Sequence, residues 1–208
     1  DDRGMIRRKA AKALHVVGLI GFPSMALMLV AGRQLGMLLY QNEKAGGHIP
    51  MLAAITLLGF YYAVAESVLE SIGLQKRCSV LTVAASLLGL LSTLLLGGVM
   101  GLGLKGYLLG ELLSAGLGAA LCLYWVCKKA ELHIRLGNWV LRPLLASATA
   151  AALTRLLLYR LYRTPAAQIL VLAFSVGVFL LLYTSFLQLL GTDFWSYTQN
   201  TLLKKGEK

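Results

Sequence analysis

Six long apolar runs, separated by short polar stretches, organise this chain. The first is free of charge from Ala13 to Gly32 and extends to Tyr40. The second runs from Ile49 to Leu74 and is interrupted only by Glu66 and Glu70. The third is charge-free from Cys78 past Met100, and the fourth covers Gly106 to Cys127 with Glu111 near its start. The fifth, Trp139 to Tyr159, carries Arg142 and Arg155 near its ends, and the sixth is charge-free from Ala166 to Thr192. About 20 apolar residues in a helix cross the hydrocarbon core of a bilayer. The pattern therefore predicts an all-α, polytopic transmembrane bundle with about six spans, at 13–40, 49–74, 78–100, 106–127, 139–159 and 166–192. A basic segment, 1–12, precedes it and a tail, 193–208, follows.

The breaks between runs carry turn chemistry. Gln41 to Gly47 is polar and glycine-containing, and Gly97 to Gly106 is glycine-rich. Pro50, Pro143 and Pro165 fall in first turns, where a missing N–H is tolerated. Pro23 lies inside the first span and should kink it, making it the candidate hinge. Gly32 with Gly36, and Gly106 with Gly110, have the small-xxx-small spacing that lets membrane helices approach closely.

Composition agrees with the pattern. Of 208 residues, 58% are hydrophobic and 14% charged, and mean hydropathy is +0.72. A soluble domain carries roughly 25% charged residues. The net charge of +11 does not imply a nucleic-acid partner, because the cations sit in short clusters between apolar runs. Fourteen of them fall on one side of the predicted membrane: Arg3, Arg7, Arg8, Lys9, Lys12, Lys76, Arg77, Lys128, Lys129, Arg135, Arg142, Lys204, Lys205 and Lys208. Six fall on the other: Arg33, Lys44, Lys105, Arg155, Arg160 and Arg163. The positive-inside rule assigns the richer side, with both ends of the chain, to the cytoplasm. Phe194, Trp195 and Tyr197 suit the headgroup region beyond the last span. The chain opens on Asp1 with no signal-peptide pattern and is expected to be the C-terminal part of a longer protein.

Candidate chemistry is sparse. Glu66 and Glu70 share a face of the second span with Tyr62 and Gly73. Measured along the helix from Lys76, they lie roughly 15 Å and 9 Å inward. Acids at such depth are expected to line a cavity, with a role in H+ or Na+ coupling, or to sit solvated near the cytoplasmic mouth, a reading that suits Glu70 better than Glu66. Arg142 and Arg155 are 13 positions apart, roughly 20 Å, so they can snorkel to opposite interfaces or attract phosphate from a cavity. Arg33 poses the same choice. Glu111 is expected one turn inside its helix, stabilised by the N-terminal dipole. Cys78, Cys122 and Cys127 match no metal or redox spacing and read as small apolar residues. Gly101, Gly103 and Gly106 satisfy G-x-G-x-x-G, but the triplet follows a long apolar helix and not a strand, so no nucleotide site is expected. His15, His48 and His133 are scattered, Asp occurs only at Asp1, Asp2 and Asp193, and no nucleophile or zinc motif is present. No enzyme, resident cofactor or metal is expected.

Several segments resemble a known transporter group. These are Gly21-Phe22-Pro23-Ser24, then Leu38-Leu39-Tyr40 ahead of Asn42-Glu43 and Ala45-Gly46. Glu70-Ser71-Ile72-Gly73-Leu74-Gln75-Lys76 resembles a helix end of the same group, with Glu70-Ser71 as a departure. Lys105-Gly106 to Ala119-Ala120 and Trp139-Val140-Leu141-Arg142-Pro143-Leu144-Leu145-Ala146-Ser147 complete the series. In this order they resemble the multidrug/oligosaccharidyl-lipid/polysaccharide exporter superfamily. The nearest branch is the stage V sporulation protein B and polysaccharide-biosynthesis group, relatives of MurJ-type lipid II flippases. The resemblance implies the last six helices of a fourteen-helix transporter in the bacterial cytoplasmic membrane. Its partners would be the lipid bilayer, an N-terminal helix bundle of the same protein and an undecaprenyl-linked anionic sugar. The expected function is a flippase or exporter of lipid-linked oligosaccharide or peptidoglycan precursors by alternating access. Two alternatives stand beside it: a cation-coupled multidrug antiporter of the same superfamily, and a non-transporting scaffold for envelope or spore assembly.

Overall fold

A computed structural model describes residues 2–130, 140–158 and 168–190. Its helices are α1 (Asp2–Tyr40), the short α2 (Glu43–Gly46), α3 (Ile49–Ser71), α4 (Gln75–Thr93), α5 (Leu104–Ala130), α6 (Arg142–Leu158) and α7 (Gln168–Leu189). A π-helical segment, Leu94–Val99, continues α4. No strand occurs among the described residues.

Five stretches are long and apolar enough to cross a membrane: Gly4–Gly32, Lys44–Ser71, Gln75–Val99, Leu104–Lys129 and Leu170–Leu189. The chain is a multi-pass membrane protein. Large apolar side chains point outward on every one of these, for example Ile20, Phe60, Leu91, Leu113 and Leu181. Such a surface is stable in lipid and not in water. Only 6% of the Gln75–Val99 span is fully buried, so α4 lies at the edge of the bundle, with one face packed on its neighbours and the rest turned outward.

The sequence boundaries shift in specific ways. The basic segment 1–12 is helical from Asp2 and continuous with the first span, because α1 runs unbroken to Tyr40. The expected polar loop at 41–47 contains α2, capped by the Asn42 side chain accepting from the Lys44 N–H at 2.9 Å. The expected fifth span is α6, whose 17 residues cover roughly 26 Å against a core of about 30 Å. Residues 131–139, 159–167 and 191–208, with Pro165 and the tail aromatics, lie outside the described residues.

Two helix ends correct the depth estimates. Helix α3 stops at Ser71, where Gly73 takes φ +79° and the Leu74 and Gly73 N–H groups donate to the Leu69 and Glu70 carbonyls. This is a Schellman ending, and glycine supplies its left-handed residue. Lys76 therefore belongs to α4, which runs back alongside. Glu70 sits next to the end of α3, and Glu66 is only about 7 Å from it, not 15 Å. Gly73 is off the helix face that carries Glu66. Similarly, α5 begins at Leu104 with no acid in its first turn, so Glu111 lies two turns in, beyond the reach of the helix dipole.

Two apolar clusters hold the bundle together. One joins Ala10 of α1, Ala65, Val68 and Leu69 of α3, Cys78 of α4, and Cys122 and Val126 of α5. The other joins Leu19 and Ala26 of α1, Ala146 and Ala150 of α6, and Phe179, Tyr183 and Leu187 of α7. Helix α1 belongs to both. The first cluster also gathers the start of α1, the α3–α4 turn and the end of α5 at one end of the bundle. Their cations, Arg7, Arg8, Lys9, Lys12, Lys76, Arg77, Lys128 and Lys129, collect there. Arg77 stacks its guanidinium over the Trp125 ring at 4.7 Å, and Lys128 lies 5.7 Å from the Tyr124 and Trp125 rings.

Candidate functional site

The polar side chains that face one another inside the bundle lie between α3 and α4. Tyr62 and Glu66 are one turn apart on α3, and Cys78 and Thr82 are one turn apart on α4. The two helices run antiparallel through the tight Gly73 turn, so these pairs come face to face. The Tyr62 hydroxyl donates to Thr82 Oγ1 at 2.7 Å. Thr82 Oγ1 in turn lies 2.9 Å from Glu66 Oε1 and 3.0 Å from the Cys78 carbonyl. The Cys78 thiol, fully buried, is 3.7 Å from Glu66 Oε1. Helix α5 makes room for the tyrosine with a glycine: a Cβ on Gly118 would touch the Tyr62 ring at 3.4 Å.

This arrangement serves two protonation states of Glu66. A threonine hydroxyl has one proton and two acceptor sites. With Glu66 ionised, the chain runs Tyr62 to Thr82 to carboxylate. With Glu66 protonated, Thr82 accepts from both Tyr62 and Glu66 and turns its own proton to the Cys78 carbonyl. Every group keeps a partner in either arrangement, so no donor of the network is left orphaned. Glu70 approaches the same place. Potential ligand atoms of Glu66, Glu70 and Cys78 all lie within 4.8 Å of one another. Glu70 is solvent-exposed, however, and a thiol is a poor ligand for a hard cation such as Na+.

Thr82→Val removes the shared node and keeps the shape. It is expected to lower stability by about 1 kcal/mol, whereas Thr82→Ser retains the wild-type value. Unfolding in micelles measures both, and equal losses for the two variants would show that the hydroxyl is not the cause.

The other expected site residues do not join this group. Arg142 is half-buried in the first turn of α6, and Arg155 is exposed in its last turn. They mark the two ends of one helix. Arg33 lies in the backbone of α1, and its side chain is outside the described residues. Pro23 lies inside α1 and does not end it. Proline has no N–H, so the Leu19 carbonyl four residues earlier has no helical partner. The Tyr183 hydroxyl of α7 donates to that carbonyl at 2.8 Å, in a buried setting.

Thr82, Cys78 and Tyr183 were missed in the sequence because each reads as ordinary span filling. The available signal for Tyr183 was a phenol in mid-span, which in lipid needs a partner. Cys78 is not merely a small apolar residue, since its thiol contacts the carboxylate. Compared with family models, with curated proteins and with solved structures, the chain gives no match.

Proposed function

We propose that the chain is one lobe of an alternating-access flippase or exporter for an anionic, lipid-linked oligosaccharide or peptidoglycan precursor in the bacterial cytoplasmic membrane. The observation that carries this reading is the joint in α1. This helix packs both with α3–α5 and with α6–α7. At Leu19 its own hydrogen-bond ladder is open, and a side chain from α7 closes it. A bond made to a neighbouring helix can be exchanged when two helix groups move against each other, whereas a backbone bond within a helix cannot. The excess of cations suits a substrate bearing phosphates. By the positive-inside rule the basic end of the bundle is cytoplasmic. The resemblance set out above adds an N-terminal bundle of the same protein as the opposing lobe, with the substrate path between them.

Depleting the full-length protein in cells that make such a precursor is expected to trap it on the cytoplasmic face. A membrane-impermeant reagent that modifies the exported headgroup measures this. Translocation at an unchanged rate would overturn the reading.

The Tyr62–Thr82–Glu66 chain favours a second reading, a cation-coupled antiporter of the same superfamily. The two readings part at one variant. Under the flippase reading, Glu66→Gln leaves precursor translocation at the wild-type rate. Loss of proton- or sodium-dependent drug efflux in Glu66→Gln vesicles would instead establish the antiporter.

A further inference from the structure

At the end of the bundle away from the basic cluster, a groove of about 570 Å³ opens between the starts of α3 and α5. Lys44, Gly47, His48, Met51, Lys105 and Leu109 line it. Two lysines and a histidine are among these residues, and no described acidic residue is. His48 stands at the N-cap of α3 but makes no side-chain capping bond, so its ring is available to the groove. Lys105 is in the first turn of α5. The positive ends of two long helices, of 23 and 27 residues, therefore add to the lysine charges. Both helices begin membrane spans here, so the groove lies at headgroup level.

A second observation identifies the source of the anion. Leu109, the apolar residue of the groove on α5, begins a stripe of outward leucines at four-residue spacing. Leu109, Leu113, Leu117 and Leu121 are 37%, 49%, 45% and 42% exposed. The stripe is roughly 18 Å long, about the depth of one leaflet. A cationic pocket at its mouth and an apolar track below it match the two halves of a phospholipid.

We propose that this groove binds the phosphate of an anionic lipid, with one acyl chain laid along the α5 leucine stripe. The site requires only that the chain spans a bilayer, and it stands independently of the transport reading. Lys44 and Lys105 supply the charge, and His48 donates from the α3 cap.

The test uses the full-length protein in nanodiscs of phosphatidylcholine containing a phosphatidylglycerol with a photoreactive group midway along one acyl chain. Peptide mapping after illumination is expected to find adducts between Leu109 and Leu121. Lys44→Gln with Lys105→Gln should cut that labelling by about fivefold per lysine, while adducts near Lys128 are unchanged. Lys44→Arg with Lys105→Arg should restore it. Equal labelling by a photoreactive phosphatidylcholine, or full labelling in the glutamine variant, would overturn the proposal. So would displacement of the lipid by inorganic phosphate, which would make the groove a free-phosphate site.

Discussion

Gly106→Ala is expected to destabilise the packed α4–α5 hairpin by about 3 kcal/mol, read by reversible unfolding in micelles. A Cβ at this position would sit 2.5 Å from the Leu96 carbonyl carbon and oxygen and from the Gly97 nitrogen. These are backbone atoms of the π-helical segment, and no rotamer change moves them aside. Gly106 heads a stripe at four-residue spacing. Below it, Gly110 would meet Thr93, Ser114 donates to the Ala85 carbonyl at 2.7 Å, and Gly118 abuts Tyr62. Cys122 and Val126, both fully buried, continue the same face. Displacing α5 at Gly106 therefore loosens the whole seam down to the Glu66 site. Gly177→Ala in α7 is the control, since a Cβ there meets nothing within 4 Å. Alanine at an open helical position is favoured over glycine by up to about 1 kcal/mol. The same substitution should thus have opposite signs at the two sites. Equal effects would show that the close approach is not what Gly106 provides.

Tyr183→Phe is expected to lower stability by about 2 kcal/mol. It keeps the ring, which stacks on Phe179 with planes 3° apart, and removes only the hydroxyl. The Leu19 carbonyl then faces a gap above Pro23 with no donor and no water. The decisive comparison is made in a Pro23→Ala background. An alanine N–H at position 23 can bond the Leu19 carbonyl directly, so the tyrosine hydroxyl becomes dispensable. The cost of Tyr183→Phe should fall close to zero there, a coupling of about 2 kcal/mol between residues on different helices. If the cost is the same in both backgrounds, Tyr183 does not serve the proline gap. The experiment also bears on transport, because Pro23→Ala closes the joint within α1. A flippase that uses this joint should translocate more slowly in Pro23→Ala than in the wild type.

The gap at Leu19 illustrates how far a linear reading reaches. Pro23 inside an apolar run already implies one orphaned carbonyl four residues earlier, since the missing N–H is a property of proline alone. Which group satisfies that carbonyl is a different matter, because Leu19 and Tyr183 are 164 positions apart. Glu66 behaves likewise. Its place on an apolar helix, beside Tyr62, was readable from four-residue spacing. Its depth is not readable in that way, because Gly73 ends the helix before Lys76 and a count from that lysine overstates it. Thr82 carries no distinguishing mark in the sequence, and only the antiparallel return of α4 brings it within 2.9 Å of the carboxylate.

What the sequence by itself determined is the all-helical, multi-pass membrane class and the clustering of charge between apolar runs. These follow from local terms: run length against bilayer thickness, and the cost of ions in hydrocarbon. The glycine pairs at 32 and 36, and at 106 and 110, also marked real close approaches, to the α2 backbone and to the α4 end. The tertiary structure alone decided which polar groups meet. A side chain of Ser, Thr, Tyr or Cys pays no visible signature along the chain, and its role depends on the helix that comes to face it. That is why the Glu66 network, the Tyr183 clasp and the Lys44–Lys105 groove came into view only once the helices were packed.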